Sequence, residues 1–142
     1  MTAAAEVSLD ELGMRDLGYR NFFPMPTRVT VRFDFDPDRR LGPGKIALLE
    51  AIHRTGSISA GGRVHQMSYR RAWLLVEELN KVFGEPLVVA HPGGVKGGGA
   101  ALTKLGEKVV ALYRAAERKM REAAAEEIAG IEGALADPVK PE

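Results

Sequence analysis

At 142 residues, with 45% apolar and 27% charged side chains, the chain has the size and composition of one folded globular domain, which excludes a mainly disordered or fibrous protein. It contains no cysteine, so disulfides, thiolate catalysis and cysteine-based zinc sites are excluded, in keeping with a reducing compartment. The formal net charge of +1 hides a segregation: residues 39–121 carry 15 Lys/Arg against 6 Asp/Glu, residues 1–38 carry 4 against 7, and residues 122–142 carry 1 against 6. A basic middle between acidic ends suits a polyanionic partner, and equally an ordinary solvated surface.

The first residues, Met1 to Ser8, lack the basic and apolar regions of a secretory signal, and no stretch is long and apolar enough to span a bilayer. A cytoplasmic protein with no membrane partner is expected. Residues 1–26 hold Leu9, Leu12 and Leu17, but Gly13 and Gly18 weaken any helix and Asn21 to Pro26 closes the segment with a turn. We read it as an N-terminal arm that packs on the body or on a partner subunit through Phe22 and Phe23.

Thr27 to Phe35 alternates, with Val29, Val31, Phe33 and Phe35 on one side and Arg28, Thr30, Arg32 and Asp34 on the other, which predicts a half-buried strand ended by Pro37. A helix starts at Gly42-Pro43, where proline's missing N–H costs nothing, buries Ile46, Leu49 and Ile52, and stops at Thr55-Gly56. Ser57 to Met67 predicts a short second helix capped by Ser57 or Ser59, with Ile58, Val64 and Met67 inward. Two glycines inside it, Gly61 and Gly62, each cost about 1 kcal/mol against alanine and imply close approach of a neighbouring helix.

Ser68 caps the next helix, expected to run to about Phe83 and to end on a left-handed Gly84. The helical period gathers Ala72, Leu75, Val76, Leu79, Val82 and Phe83 on one face and Arg70, Leu74, Glu77 and Lys81 on the other, with Tyr69, Arg71 and Trp73 at the borders. Trp73 is expected to lie partly buried between this helix and a following hairpin. That hairpin is predicted from the short apolar runs Leu87 to Ala90 and Ala100 to Leu102, joined by the glycine-rich His91 to Gly99 around Lys96. The first strand has a natural place beside it. Thr103 then caps a long final helix in which Leu105, Val109, Leu112, Ala116 and Met120 repeat at spacings of four and three, a seam suited to a second copy, before Gly130 and Gly133 fray the end.

Helix, turn, helix, glycine-rich hairpin is the order of a winged helix-turn-helix. The predicted fold class is α+β, mainly helical: an arm over residues 1–26, a winged helix-turn-helix over 27–103, a dimerisation helix over 104–130 and a flexible tail over 131–142. A major groove admits one α-helix and is read by side chains near its N-terminus, where Ser68, Tyr69, Arg70 and Arg71 fall. Hydroxyls and the helix N-terminus suit phosphate, and arginine can bond guanine bidentately. Leu74 is the misfit of the outward face, suited to a thymine methyl or to a protein interface. Lys96, followed by glycines rather than by Ser or Thr at a helix start, excludes a P-loop and suits a hairpin laid on the DNA backbone. His53, His65 and His91 stand alone, with no partner at ligand or triad spacing, so no metal, no cofactor and no catalytic role is expected.

Gly56-Ser57-Ile58-Ser59, Met67 to Trp73, Glu78-Leu79-Asn80, Gly93-Gly94, Lys96 to Ala100, Leu102-Thr103 and Gly106 together resemble the DNA-binding domain of the molybdate-responsive ModE regulators and, more distantly, the winged helix of LysR-type regulators. The resemblance covers about residues 27–120. It implies a dimeric transcriptional regulator that binds double-stranded DNA, with Ser57, Ser59, Ser68, Tyr69, Arg70 and Lys96 at the DNA, joined in our reading by Arg71 and Lys81. Arg71 and Leu74 depart from the small or polar residues expected there, so a different base preference follows. The chain stops at Glu142 without room for the family's molybdate-binding domain, and molybdate sensing by this chain alone is not expected. The other reading kept open is a winged helix used as a protein-interaction module.

Overall fold

The computed structural model describes residues 27–94 and 97–136. The arm with Phe22 and Phe23, Lys96 at the hairpin tip and the last six residues of the expected tail lie outside the described residues. In chain order the elements are strands β1 (Phe33–Phe35) and β2 (Arg39–Leu41), helices α1 (Pro43–Thr55), α2 (Ile58–Val64) and α3 (Tyr69–Val82), strands β3 (Val88–Gly94) and β4 (Gly97–Leu102), and helices α4 (Lys104–Ala123) and α5 (Ala125–Gly133). The architecture is α+β and mainly helical, with two separate two-stranded antiparallel sheets, β1–β2 and β3–β4.

Helix α1 forms the centre of the core. Ile46, Leu48, Leu49 and Ile52 are fully buried, each contributing about 1.5–3 kcal/mol by leaving water. Against them pack Ile58 of α2, Ala72, Val76 and Leu79 of α3, Leu87, Val88 and Ala100 of the hairpin, and Val109 and Tyr113 of α4. Pro43 opens the helix, and Gly56 closes it in the left-handed conformation at φ 80°, a position that favours glycine.

The glycine pair in α2 is explained by contact. A Cβ on Gly61 would lie 2.8 Å from Cγ1 of Ile52, and one on Gly62 would lie 2.8 Å from Cβ of Ala72. One face of the helix thus touches α1 and the other α3, with no room for a methyl on either side. Of the two candidate caps, Ser57 takes the role, its Oγ accepting from the Ala60 N–H at 2.9 Å.

Several expectations are corrected. The strand expected over Thr27 to Phe35 is hydrogen-bonded as a strand only at Phe33–Phe35, and its partner is β2, not the β3–β4 hairpin. The turn at Asp36 to Asp38 returns the chain against its own strand, and the preceding residues run beside α4, where the Tyr113 hydroxyl donates to the Val31 carbonyl. Alternation survives in burial: Val29, Val31 and Phe33 are half-buried, but Phe35, past the edge of the body, is exposed. Val64 is half exposed, not inward, because α2 ends there and the chain leaves through a turn with Gln66 at φ 60°. Gly84 is not left-handed; α3 ends in extended backbone at Phe83, which leads straight toward β3. The single final helix is broken at Ala124 into α4 and α5, and helix continues through Gly130 to Gly133 where fraying was expected.

Candidate nucleic-acid interface

Helix α2 leads through a short turn into the start of α3, where its Gly62 packs against Ala72. Ser68 fixes the start of the helix, its Oγ accepting from the Arg71 N–H at 3.1 Å. That bond uses a lone pair only, so the Ser68 O–H stays free to donate, and the same holds for Ser57. Tyr69, Arg70 and Arg71 follow on the exposed surface, and neither guanidinium is paired with a carboxylate of any described residue. The opposite side of the helix is buried through Ala72, Val76 and Leu79, so the exposed groups ride on a rigid support. Ser59 is the second residue of α2, and its Oγ accepts from Arg63 at 2.8 Å.

The hairpin is fixed to this support at two places. At the α1–α2 turn, the Ala100 N–H donates to the Gly56 carbonyl at 2.8 Å, and a Cβ on Gly99 would come within 3.0 Å of the same oxygen. At the base of β3, Asn80 of α3 accepts from the N–H groups of Leu87 (2.8 Å) and Val88 (3.1 Å) and donates back to the Val88 carbonyl (3.1 Å). Both ties are short and involve backbone, so the hairpin holds one orientation relative to α2 and α3. The β3–β4 ladder runs from Val88 opposite Leu102 to Gly94 opposite Gly97, with a bulge between His91 and Gly94, which carries the strands further toward the tip than the apolar runs imply.

The expected site residues do not all gather. Ser57, Ser68, Tyr69, Arg70 and Arg71 belong to the two helix starts, whereas Lys81 is in the last turn of α3, roughly 16 Å further along the axis. Trp73, expected to lie partly buried, is 40% exposed. Leu74, at 52%, points outward with Arg70.

The expected dimerisation seam divides. Leu105 packs against the core and Val109 is buried within the chain's own core, so neither presents a free face, while Leu112 and Met120 are exposed and Ala116 is half-buried. The physical reason is that the body covers only the first turns of α4. Beyond it, Leu112 and Ala116 line an almost wholly apolar groove of about 320 Å³ with Phe33, Phe35, Leu41 and Phe83.

Two features escaped the reading of the sequence. Asn80 is a polar residue at the buried border of an amphipathic helix, and that placement was the available signal. Arg114 holds Glu50 of α1 through two bonds (2.7 and 2.9 Å) and Glu117 through one (2.7 Å). The hydrogen bonds it donates to Glu50, ahead of the one to Glu117 and against partial burial, raise the guanidinium's pKa and keep it charged. No sequence signal pairs residues so far apart. This cluster ties α1 to α4.

No family model matches the chain. It is similar to the molybdenum-pterin-binding protein MopB of Rhodobacter capsulatus, 51% identical over 78 residues, which is 55% of this chain and 29% of that protein. It is also similar to the molybdenum transport protein ModE of Azotobacter vinelandii, 44% identical over 93 residues, or 64% of this chain and 34% of that one. The DNA-binding transcriptional dual regulator ModE of Escherichia coli is 41% identical over 71 residues, covering 50% of this chain and 27% of the relative. The chain therefore spans roughly a third of the length of these relatives. Their names describe regulation, transport and molybdenum-pterin binding rather than catalysis. Among the described residues, no helix is long and apolar enough to cross a membrane.

Proposed function

We propose that this chain is a winged helix-turn-helix module of a ModE-like transcriptional regulator, binding double-stranded DNA in a sequence-specific manner as a cytoplasmic homodimer. In this reading residues 27–103 form the DNA-binding unit, α2 and α3 are the helix-turn-helix pair, and β3–β4 is the wing. The observation that carries it is the start of α3: a capped helix N-terminus with Tyr69, Arg70 and Arg71 exposed and unpaired with the described carboxylates, on a helix anchored by its opposite face. Similarity to a DNA-binding regulator over half of the chain supports the same reading.

The roles follow from chemistry. The hydroxyls of Ser57, Ser59, Ser68 and Tyr69 donate to phosphate, Arg70 and Arg71 reach base edges, and Lys81 and the wing residue Lys96 add charge along the backbone. Dimerisation runs through the outer part of α4, with Leu112, Ala116 and Met120 carrying it in place of the full seam from Leu105. Two copies then read half-sites about 34 Å apart or a multiple of it.

The test is selection of bound fragments from a randomised duplex pool, with and without molybdate, followed by titration at several salt concentrations. Arg70→Ala is expected to cost about 1–3 kcal/mol and to relax one base pair of the selected motif. Lys96→Ala is expected to weaken all sequences alike and to lower the salt slope by about 1. Equal loss on specific and random DNA in both variants overturns these roles. The exposed trio Tyr69, Trp73 and Leu74 favours a second reading, a protein-interaction surface on α3, in which binding would be insensitive to salt.

A further inference from the structure

Leu74 is surplus to the fold. Helix α3 meets its core with Ala72, Val76 and Leu79 fully buried and Leu75 packed at the edge, followed by Phe83, and Leu74 lies on the opposite side, more than half exposed. A single exposed leucine means little by itself. Its neighbours give it meaning: Arg70 lies one turn before it and Lys81 two turns after it on the same outward strip, both cationic and free of ion pairs with described carboxylates. Glu78, one turn beyond Leu74, is drawn off the strip by an ion pair with Lys45 of α1, which leaves Glu77 as the remaining carboxylate beside it. The strip thus presents an apolar group with Arg70 on one side and Glu77 followed by Lys81 on the other, a net positive face suited to a surface that is anionic at its rims and apolar at one point inside.

A DNA major groove has that pattern. Its only apolar feature on the base edges is the C5-methyl group of thymine, and phosphates line both rims. We propose that Leu74 reads a thymine methyl group and so sets base preference beside the base addressed by Arg70. The inference rests on the DNA-binding reading above. One helical turn separates the two side chains by about 6 Å along the axis, so the thymine falls within one or two base pairs, at 3.4 Å each, of the base that Arg70 contacts.

The experiment starts from the motif selected by the wild-type protein and replaces each thymine in turn by deoxyuridine, which removes only the methyl group. One position per half-site is expected to lose about fourfold in affinity, the worth of one buried methyl. Leu74→Ala should bind thymine and deoxyuridine equally at that position while keeping the wild-type response to 7-deazaguanine at the Arg70 position. With cytosine placed there, 5-methylcytosine should restore wild-type binding in part and do nothing for Leu74→Ala. Tolerance of deoxyuridine everywhere by the wild-type protein overturns the proposal without any variant being needed, and moves Leu74 to a protein contact. So does a methyl dependence that Leu74→Ala leaves intact. A protein that selects no motif fails the DNA-binding reading itself, a result distinct from a motif whose thymine methyl groups do not matter.

Discussion

Gly106 is the position where the smallest change should do the most harm. It is buried in the first turn of α4, and a Cβ built on it would sit 2.2 Å from the carbonyl oxygen of Leu87 and 3.3 Å from Cβ of Leu102. Relief to the 3.4 Å of ordinary contact requires a displacement of about 1.2 Å between two backbones, since the nearest atom is main chain and no side chain can turn aside. That displacement acts on the Thr103 N–H to Leu87 carbonyl bond at 2.9 Å and the Thr103 hydroxyl bond to the Pro86 carbonyl at 2.8 Å, which join α4 to the base of the hairpin. Alanine gains about 1 kcal/mol over glycine in helix propensity, against roughly 1–3 kcal/mol for overpacking and about 1 kcal/mol for each weakened hydrogen bond. The net expectation for Gly106→Ala is a loss of about 2–4 kcal/mol. Gly130→Ala in α5 is the control: nothing lies within 4 Å of its Cβ, so only the propensity gain remains and stability should rise by up to about 1 kcal/mol. Urea unfolding at equilibrium, with the slope checked for constancy, measures both. A Gly106→Ala protein as stable as wild type would refute the close approach of α4 to the Leu87 carbonyl.

Asn80→Ala should cost about 2–3 kcal/mol by leaving the Leu87 and Val88 N–H groups without their acceptor, and Asn80→Asp, which keeps the accepting oxygen but loses the donor to the Val88 carbonyl, should cost less; thermal melts compare them. Burial, reinforced by Glu117 and opposed by Arg114, raises the Tyr113 hydroxyl above its ordinary value near 10, so the folded state holds that proton more tightly than the unfolded chain. Its contribution is complete below pH 10 and is lost as pH rises beyond, so unfolding free energy should fall more steeply above pH 10 in wild type than in Tyr113→Phe. Val109→Ala should lower stability by about 1.5–2.5 kcal/mol at every protein concentration, whereas Leu112→Glu should spare the monomer's fold and weaken self-association at least tenfold by sedimentation.

Local signals carried most of the helices. Gly42-Pro43 and Thr55-Gly56 bracket α1, Ser68 and Thr103 mark the starts of α3 and α4 one residue ahead, and the Gly61-Gly62 pair betrays tight packing because glycine inside a helix has a cost that only contact offsets. Pairing was less legible. Alternation over Thr27 to Phe35 specifies which side chains are covered, and burial follows it as far as Phe33, but alternation is silent on the partner strand. The three residues of β2 are too few, and too charged, to announce themselves. Likewise the Arg70 and Leu74 face follows from the helical period, while the Asn80 tie that orients the hairpin depends on residues folded back against it from beyond the next turn.

The seam on α4 shows the same distinction acting within one helix. Leu105, Val109, Leu112, Ala116 and Met120 fall within a narrow arc at 100° per residue, and a period of this kind identifies an apolar side without saying what covers it. Cover depends on how far the rest of the body reaches along the helix axis. Here α1 and the hairpin reach the first turns, so Leu105 and Val109 are spent on the chain's own core, and Phe33 meets Tyr113 edge-on at 5.8 Å to close that part. Past that point the same stripe runs on with Leu112 and Ala116 along a groove lined by Phe33 and Phe35, and then with the exposed Met120. A pairing with a second copy would therefore not be a coiled coil along the whole of α4. It would be a shorter contact at its outer half, joined by the β1–β2 hairpin through Phe33 and Phe35.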